Sequence, residues 1–264
     1  MKKLFLYSLI LYTLFIRCSS GGDDEDPVLD FTISVNNSVP KIGNDITVTV
    51  SPTIDVEKVE LYFDETLIGT KFSEPITFDI STADIETGEH SISAVVTSIN
   101  ATKEKAIKIT ASLEVGSPYK GGIVFALNSE NKSGLIVLEN DLSVNGNNTF
   151  AWGCSGHTLE ANSLTDGQYN TSKISGSCTI GAARECTKLT VNGYNDWYLP
   201  AREEIDLIYA VKEKIPGFTG VYWSSTESIF DSSSRAYYFD ASDGSWIEIA
   251  LKTAKFKVRP IRKF

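Results

Sequence analysis

From Val28 to Leu113 the chain is written in short runs that alternate apolar with polar residues. In "DITVTV", Ile46, Val48 and Val50 alternate with Thr47 and Thr49. That period of two is the signature of a strand with one face in a core and the other in water. "DFTISV", "VEKVELYF", "ETLIGT", "PITFDI", "EHSISAVVTS" and "KAIKITASL" bring the predicted strands to seven. Gly43-Asn44, Ser51-Pro52 and Gly88 supply turns between them. Seven short strands in about 85 residues predict an all-β, Ig-like sandwich over 28–114.

The pattern changes after "EVGSPYKGG" (114–122), whose Gly, Ser and Pro predict a linker. "GGIVFAL" and "SGLIVLE" predict a hairpin, and "RAYYFDASDGSWIEIAL" a second one. "GAARECTKLT" predicts a short helix with Ala182, Ala183, Cys186 and Leu189 on one side. In "NDWYLPAREEIDLIYA" (195–210) Pro200 stops a strand, and a helix follows with Ile205, Ile208 and Tyr209 on one side. "KFKVRPIRKF" predicts a closing strand. All four Trp residues lie in this half, which sets 115–264 apart as an α+β domain.

The first 17 residues differ again. Lys2 and Lys3 precede an apolar run, Leu4 to Ile16, that is short for a membrane span and reads as a secretory leader (1–17). Cys18 follows, and then "SSGGDDED", an acidic tether ending at residue 27. Apolar run, Cys and small polar residues resemble a bacterial lipoprotein signal, and the acids after the Cys resemble the surface-export signal of Bacteroidota-type lipoproteins. The resemblance implies lipidation of Cys18, a membrane partner through the lipid, and an outer-membrane location facing the exterior. Removing the leader takes away Lys2, Lys3 and Arg17 and no acid, moving the formal balance from −10 to −13. A nucleic-acid partner is disfavoured by that sign.

"VELYFDETLIGTKFSEPITFDISTADIETGEHSISAVVTS" resembles bacterial Ig-like repeats, modules that act mainly as spacers; His90 belongs to that pattern. In the second half, "FAWGCSG", "YNTSKI", "NGYNDWYLPAREEIDLIY", "YWSSTE", "AYYFDASDG" and "KVRPIRKF" follow the order of the Lcl C-terminal-domain family, which is named for the terminal module of a collagen-like bacterial adhesin. The resemblance covers roughly residues 120–264. It implies a C-type-lectin-like fold and, since the characterised adhesin binds sulfated glycosaminoglycans, a glycan ligand. That family usually has Ser or Thr where Ala201 stands; here only Glu204 remains to make half of a capping box.

The candidate chemistry is sparse. Glu203 and Glu204 are neighbours on a helix and point apart, so they read as a helix start in the favourable field of the dipole. "DWYLPAREE" also resembles a segment of formylglycine-generating enzymes, but those need two cysteines late in the domain and no Cys follows Cys186. Cys154, His157, Cys178 and Cys186 could be written as a zinc set, yet export favours disulfides. Cys178 and Cys186 flank the start of the short helix and are the expected pair; Cys154–Cys178 is the alternative. "DASDGSW" lacks the spaced oxygen ligands of a calcium loop and reads as a hairpin turn with Gly244 left-handed. Ser224, Ser225 and Thr226 come without a nucleophile elbow, and two His residues leave little room for a triad. No cofactor motif is present. The tail after Glu248 carries six bases and no acid, and alternation along a strand would turn Lys255, Lys257 and Arg259 together to solvent as a ligand-binding strip for an anionic glycan. The sequence thus predicts a non-enzymatic surface lipoprotein that binds a glycan or another surface ligand. The alternative is an envelope assembly protein that recognises protein partners.

Overall fold

The computed structural model describes residues 28–264, apart from the side chains of Glu248 and Ile249. Cys18 and the leader lie outside the described residues. The first seven strands are β1 (Phe31–Val35), β2 (Ile46–Pro52), β3 (Lys58–Phe63), β4 (Thr66–Lys71), β5 (Thr77–Ile80), β6 (Gly88–Thr97) and β7 (Thr102–Ala111). Each coincides with a predicted strand. They form two antiparallel sheets, in the orders β1-β2-β5 and β4-β3-β6-β7. Val48, Val59, Leu61, Ile92, Ala94 and Val96 are fully buried between them, so the alternation read from the sequence is the core of an Ig-like sandwich.

The β3–β4 turn is less orthodox. Asp64 and Glu65 both have positive φ, 44° and 68°, where Asn-Gly would be easier. Asp64 is held there because its carboxylate accepts the Ser91 N–H at 2.9 Å and meets His90 Nδ1 at 2.6 Å.

Residues 114–122 connect the two halves without forming a free linker. Ser117 and Tyr119 are buried, and β8 (Pro118–Tyr119) pairs with β9 (Gly122–Leu127). Ile42, Ala111 and Leu113 from the sandwich pack with Tyr119, Val124, Ile136 and Trp197 in one apolar cluster. Glu86 accepts the Tyr119 hydroxyl at 3.0 Å and pairs with Lys120 at 2.8 Å across the same joint, and Lys41 pairs with Glu114.

The second half continues with β10 (Gly134–Val137), β11 (Phe150–Ala151), α1 (Gly167–Ser177), α2 (Ala182–Lys188), α3 (Arg202–Ala210), a 3-10 turn (Lys212–Lys214), β12 (Val221–Glu227), β13 (Arg235–Asp240), β14 (Ser245–Leu251), β15 (Lys255–Phe256) and β16 (Ile261–Lys263). Its sheets run β16-β10-β9-β8, β12-β13-β14 and β11-β15. Both predicted hairpins and the helices α2 and α3 are present. Gly244 in the second hairpin has φ 81°, as its turn requires. The expected closing strand is two short strands separated by Lys257–Pro260, because at Lys257 the backbone leaves β11 and bonds Val221 and Trp223 of β12 before it reaches β10. Helix α1 carries no apolar stripe in sequence and is held by tertiary contacts. Asp166 caps it through the Tyr169 N–H, and Asn170, Thr171 and Ile174 face inward.

Candidate functional site

The start of α3 is where paired carboxylates would have to work. Glu204 is buried and accepts three hydrogen bonds: from Ala201 N–H at 2.8 Å, Gly167 N–H at 3.0 Å and the Tyr198 hydroxyl at 2.9 Å. Burial pushes its carboxyl above the usual range despite those donors. Gly167 is obligatory, since a Cβ there would lie 2.5 Å from the Leu199 carbonyl oxygen and 2.6 Å from the Ala201 nitrogen, backbone atoms that cannot swing aside. Glu203 faces solvent on another side of the helix. The missing side-chain cap at Ala201 is replaced from elsewhere: Thr226 Oγ1 accepts the Arg202 N–H and the Leu164 carbonyl accepts the Glu203 N–H. This is a structural joint between α1 and α3.

The hydroxyls of β12 are structural too. Ser225 Oγ accepts from Asn170 Nδ2 at 3.2 Å, Thr226 Oγ1 donates to the Ser163 carbonyl and Ser224 Oγ to the Tyr237 carbonyl. All three residues are buried, and His157 is exposed. No His is within reach to activate a serine among these contacts.

The cysteines pair differently from the expected Cys178–Cys186 bridge. Cys154 and Cys178 are bonded, with Cα atoms 5.4 Å apart, and Cys186 is free. The reason is the unforeseen α1, which ends at Ser177 and sets the sulfur of its C-cap residue, Cys178, against residues 153–154. Cys186 lies a full turn into α2, on the inward face with Ala182 and Ala183, and burial pushes its thiol far above the usual range. Among the described residues no group of three His, Cys, Asp or Glu side chains is placed to hold a metal.

The basic strip of Lys255, Lys257 and Arg259 is not a strip. The strand ends at Phe256, and Arg259 turns inward, 2 % exposed. Its guanidinium donates to Asp141 at 2.8 Å and to the carbonyls of Leu138, Glu139 and Pro216. Lys257 pairs with the same Asp141 at 3.0 Å. Lys252 is fully buried against Glu227 at 2.6 Å, donating also to the carbonyls of His157 and Ser232. Arg262 takes Asp196 bidentately. A run of bases in sequence is therefore mostly a set of internal ion pairs. Lys255 alone of the three predicted residues is exposed and without an ion-pair partner among the described residues.

Lys255 borders an open cleft of about 590 Å³. One wall is the turn Val144–Asn147 with Thr149 and Phe150; the other is Ile180 and Gly181, just before α2, with Glu185 and Lys188 of the helix itself. The turn carries an Asn-Gly pair at φ 50° and 80°, closed by reciprocal Val144–Asn147 backbone bonds of 2.9 Å. This is the mirror-type hairpin turn that Asn-Gly favours. No protein group bonds the side chains of Asn145, Asn147 or Thr149 among the described residues. Sequence patterning missed this site because its lining comes from three separated segments; the "NGNNT" run was the one local signal.

The family described as Bacterial Ig domain (Big_7) matches residues 27–94. No curated protein matches the chain. No family of the Lcl or C-type-lectin kind matches. The chain is similar to a fibronectin(III)-like module of Clostridium thermocellum CbhA, at 18 % identity over 31 % of this chain and 98 % of that one, with a TM-score of 0.27. It is also similar to a CARDB domain from Pyrococcus furiosus, solved with di-metal ions, at 20 % identity over 33 % and 96 %, with a TM-score of 0.25. A lytic polysaccharide monooxygenase of Jonesia denitrificans matches at 18 % identity over 29 % of this chain and 58 % of that one, with a TM-score of 0.22. Likenesses at these scores carry no inference about activity.

Proposed function

We propose that this is a surface lipoprotein, anchored in the outer membrane through Cys18, whose Ig-like module carries a C-type-lectin-like domain that binds a glycan. The observation that carries the reading is the cleft beside Lys255: open, amide-lined, with apolar Phe150 and Ile180 among its walls. Concave sites with a few convergent polar groups on an apolar base are where small ligands bind. Binding rather than catalysis is supported by the state of the reactive-looking groups, since Glu204, Ser224, Ser225 and Thr226 are consumed in structural hydrogen bonds. The anchor is tested by metabolic labelling with a clickable fatty acid. The wild type should be tagged and Cys18→Ala should not, and equal labelling would end the lipoprotein reading. Binding is tested on a glycan array with the leaderless chain; retention of no glycan at all would favour recognition of protein partners in envelope assembly.

A further inference from the structure

The structure contains a second copy of the turn that borders the cleft, and the two copies differ in what they hold. Val191-Asn192-Gly193-Tyr194 repeats Val144-Asn145-Gly146-Asn147, with φ 51° and 83° at its Asn-Gly pair and reciprocal Val191–Tyr194 bonds of 2.9 and 3.0 Å. Each turn leads into a segment that pairs antiparallel with the C-terminal tail. Phe150 and Ala151 meet Phe256 and Lys255, and Tyr198 meets Ile261. The copies therefore share a backbone frame, and the side chains hung on it can be compared position by position.

The second copy is filled from within. The Arg262 guanidinium lies 4.1 Å over the Tyr194 ring and donates to both Asp196 oxygens, at 2.6 and 3.1 Å. Its aromatic and its acid suit a planar cation. At the equivalent positions the first copy has Asn147 and Thr149, an amide and a hydroxyl, and in the place of Arg262 it has Phe256, whose ring packs on Trp223 and Tyr238 at 4.6 Å and does not line the cleft beside them. Its chemistry is that of a site for uncharged hydrogen-bonding groups. An Asn amide offers a donor and an acceptor side by side, which matches neighbouring hydroxyls that accept and donate in turn.

The charges nearby agree. Lys188 is neutralised by Glu185 at 2.7 Å, which leaves Lys255 as the one unpaired cation among the described residues lining the cleft. A single ammonium serves as a hydroxyl donor; a polyanion would need several cations. Ile180, 66 % exposed, together with Phe150, gives an apolar surface for the C–H face of a sugar ring.

We propose that the Val144–Thr149 cleft binds a neutral, hydroxyl-rich saccharide, with Asn147 and Thr149 as its hydrogen-bonding residues and Lys255 as a supporting donor. The proposal rests on the reading of the second domain as a glycan binder and narrows it, against the anionic ligand that the basic tail implied.

The test uses the leaderless full chain with neutral gluco-, galacto- and manno-oligosaccharides beside heparin-type and polyuronate fragments. A neutral probe should bind with affinity that changes less than about threefold between roughly 50 and 500 mM salt, because no multiple ion pairing is screened. Asn147→Ala and Thr149→Val should each weaken it by about tenfold, the scale of one lost hydrogen bond, with the melting temperature unchanged. Neutral binding that survives both substitutions would place the site elsewhere and overturn the proposal. Binding of polyanions alone would overturn it while leaving the glycan reading intact. Retention of neither class would overturn both.

Discussion

His90 shows how much one side chain can settle. Its Nδ1 faces an Asp64 carboxylate oxygen at 2.6 Å and its Nε2 the Glu86 carbonyl at 2.8 Å, with the Phe63 ring stacked at 5.1 Å. Both partners only accept, so both contacts are made at once only by the doubly protonated ring. Burial pulls its pKa down, but the bonds to Asp64 and to Glu86 more than offset it, and the net shift is upward. For Asp64 burial pulls up, and the His90 and Ser91 hydrogen bonds outweigh it, so its net shift is downward. The stabilisation is thus fully present above the ordinary Asp value of 3.8 and below the ordinary His value of 6.5. It fades as pH falls through the folded Asp64 pKa or rises through the folded His90 pKa. Thermal unfolding across pH should show this loss on the alkaline side, and His90→Phe should flatten it. An NMR titration that puts the His90 pKa below 6.5 would refute the sign.

Among the elements, α3 and α1 were legible to different degrees. Pro200, the acids of the first turn and the spacing of Ile205 and Ile208 announce α3, and the helix begins where those signals place it. Its start lacks a side-chain cap, so Ala201→Ser should stabilise the chain. The Arg202 and Glu203 N–H groups already have partners, and Ala201 is fully buried. The gain should therefore sit at the low end for a cap, about 0.5–1 kcal/mol in denaturant unfolding. A loss would mean that the buried site has no room for the hydroxyl. Helix α1, by contrast, is rich in Gly, Ser, Thr and Asn, which favour turns and caps over helix interiors. Only the docking of Asn170, Thr171 and Ile174 makes it a helix, and its end decides that Cys178 bonds Cys154.

At the scale of the whole molecule the joint is the unexpected feature. The segment read as a linker carries Tyr119 into a cluster shared by both halves, with Leu113 on one side and Trp197 on the other. Packing of that kind couples the unfolding of the two parts. Leu113→Ala should cost about 2–5 kcal/mol, as buried Leu truncations do. Calorimetry should show one transition in the wild type and two in the variant. Two transitions in the wild type would make the joint a loose contact.

The sequence by itself determined the seven strands of the sandwich, both later hairpins, and helices α2 and α3. Each of these is a short-range pattern: alternation, a turn pair or an apolar stripe repeats within a few residues and needs no distant partner to be recognised. Tertiary structure decided the rest. It chose between Cys154 and Cys186 as the partner of Cys178 and turned Arg259 from the solvent face to Asp141. It also packed the linker and gathered Asn147, Ile180 and Lys255 around one cleft. In every such case the outcome depends on groups far apart in the chain. A buried charge needs its counter-charge, and a helix of poor formers needs a surface to dock on. Those partners are adjacent only after folding, so no local pattern can carry them.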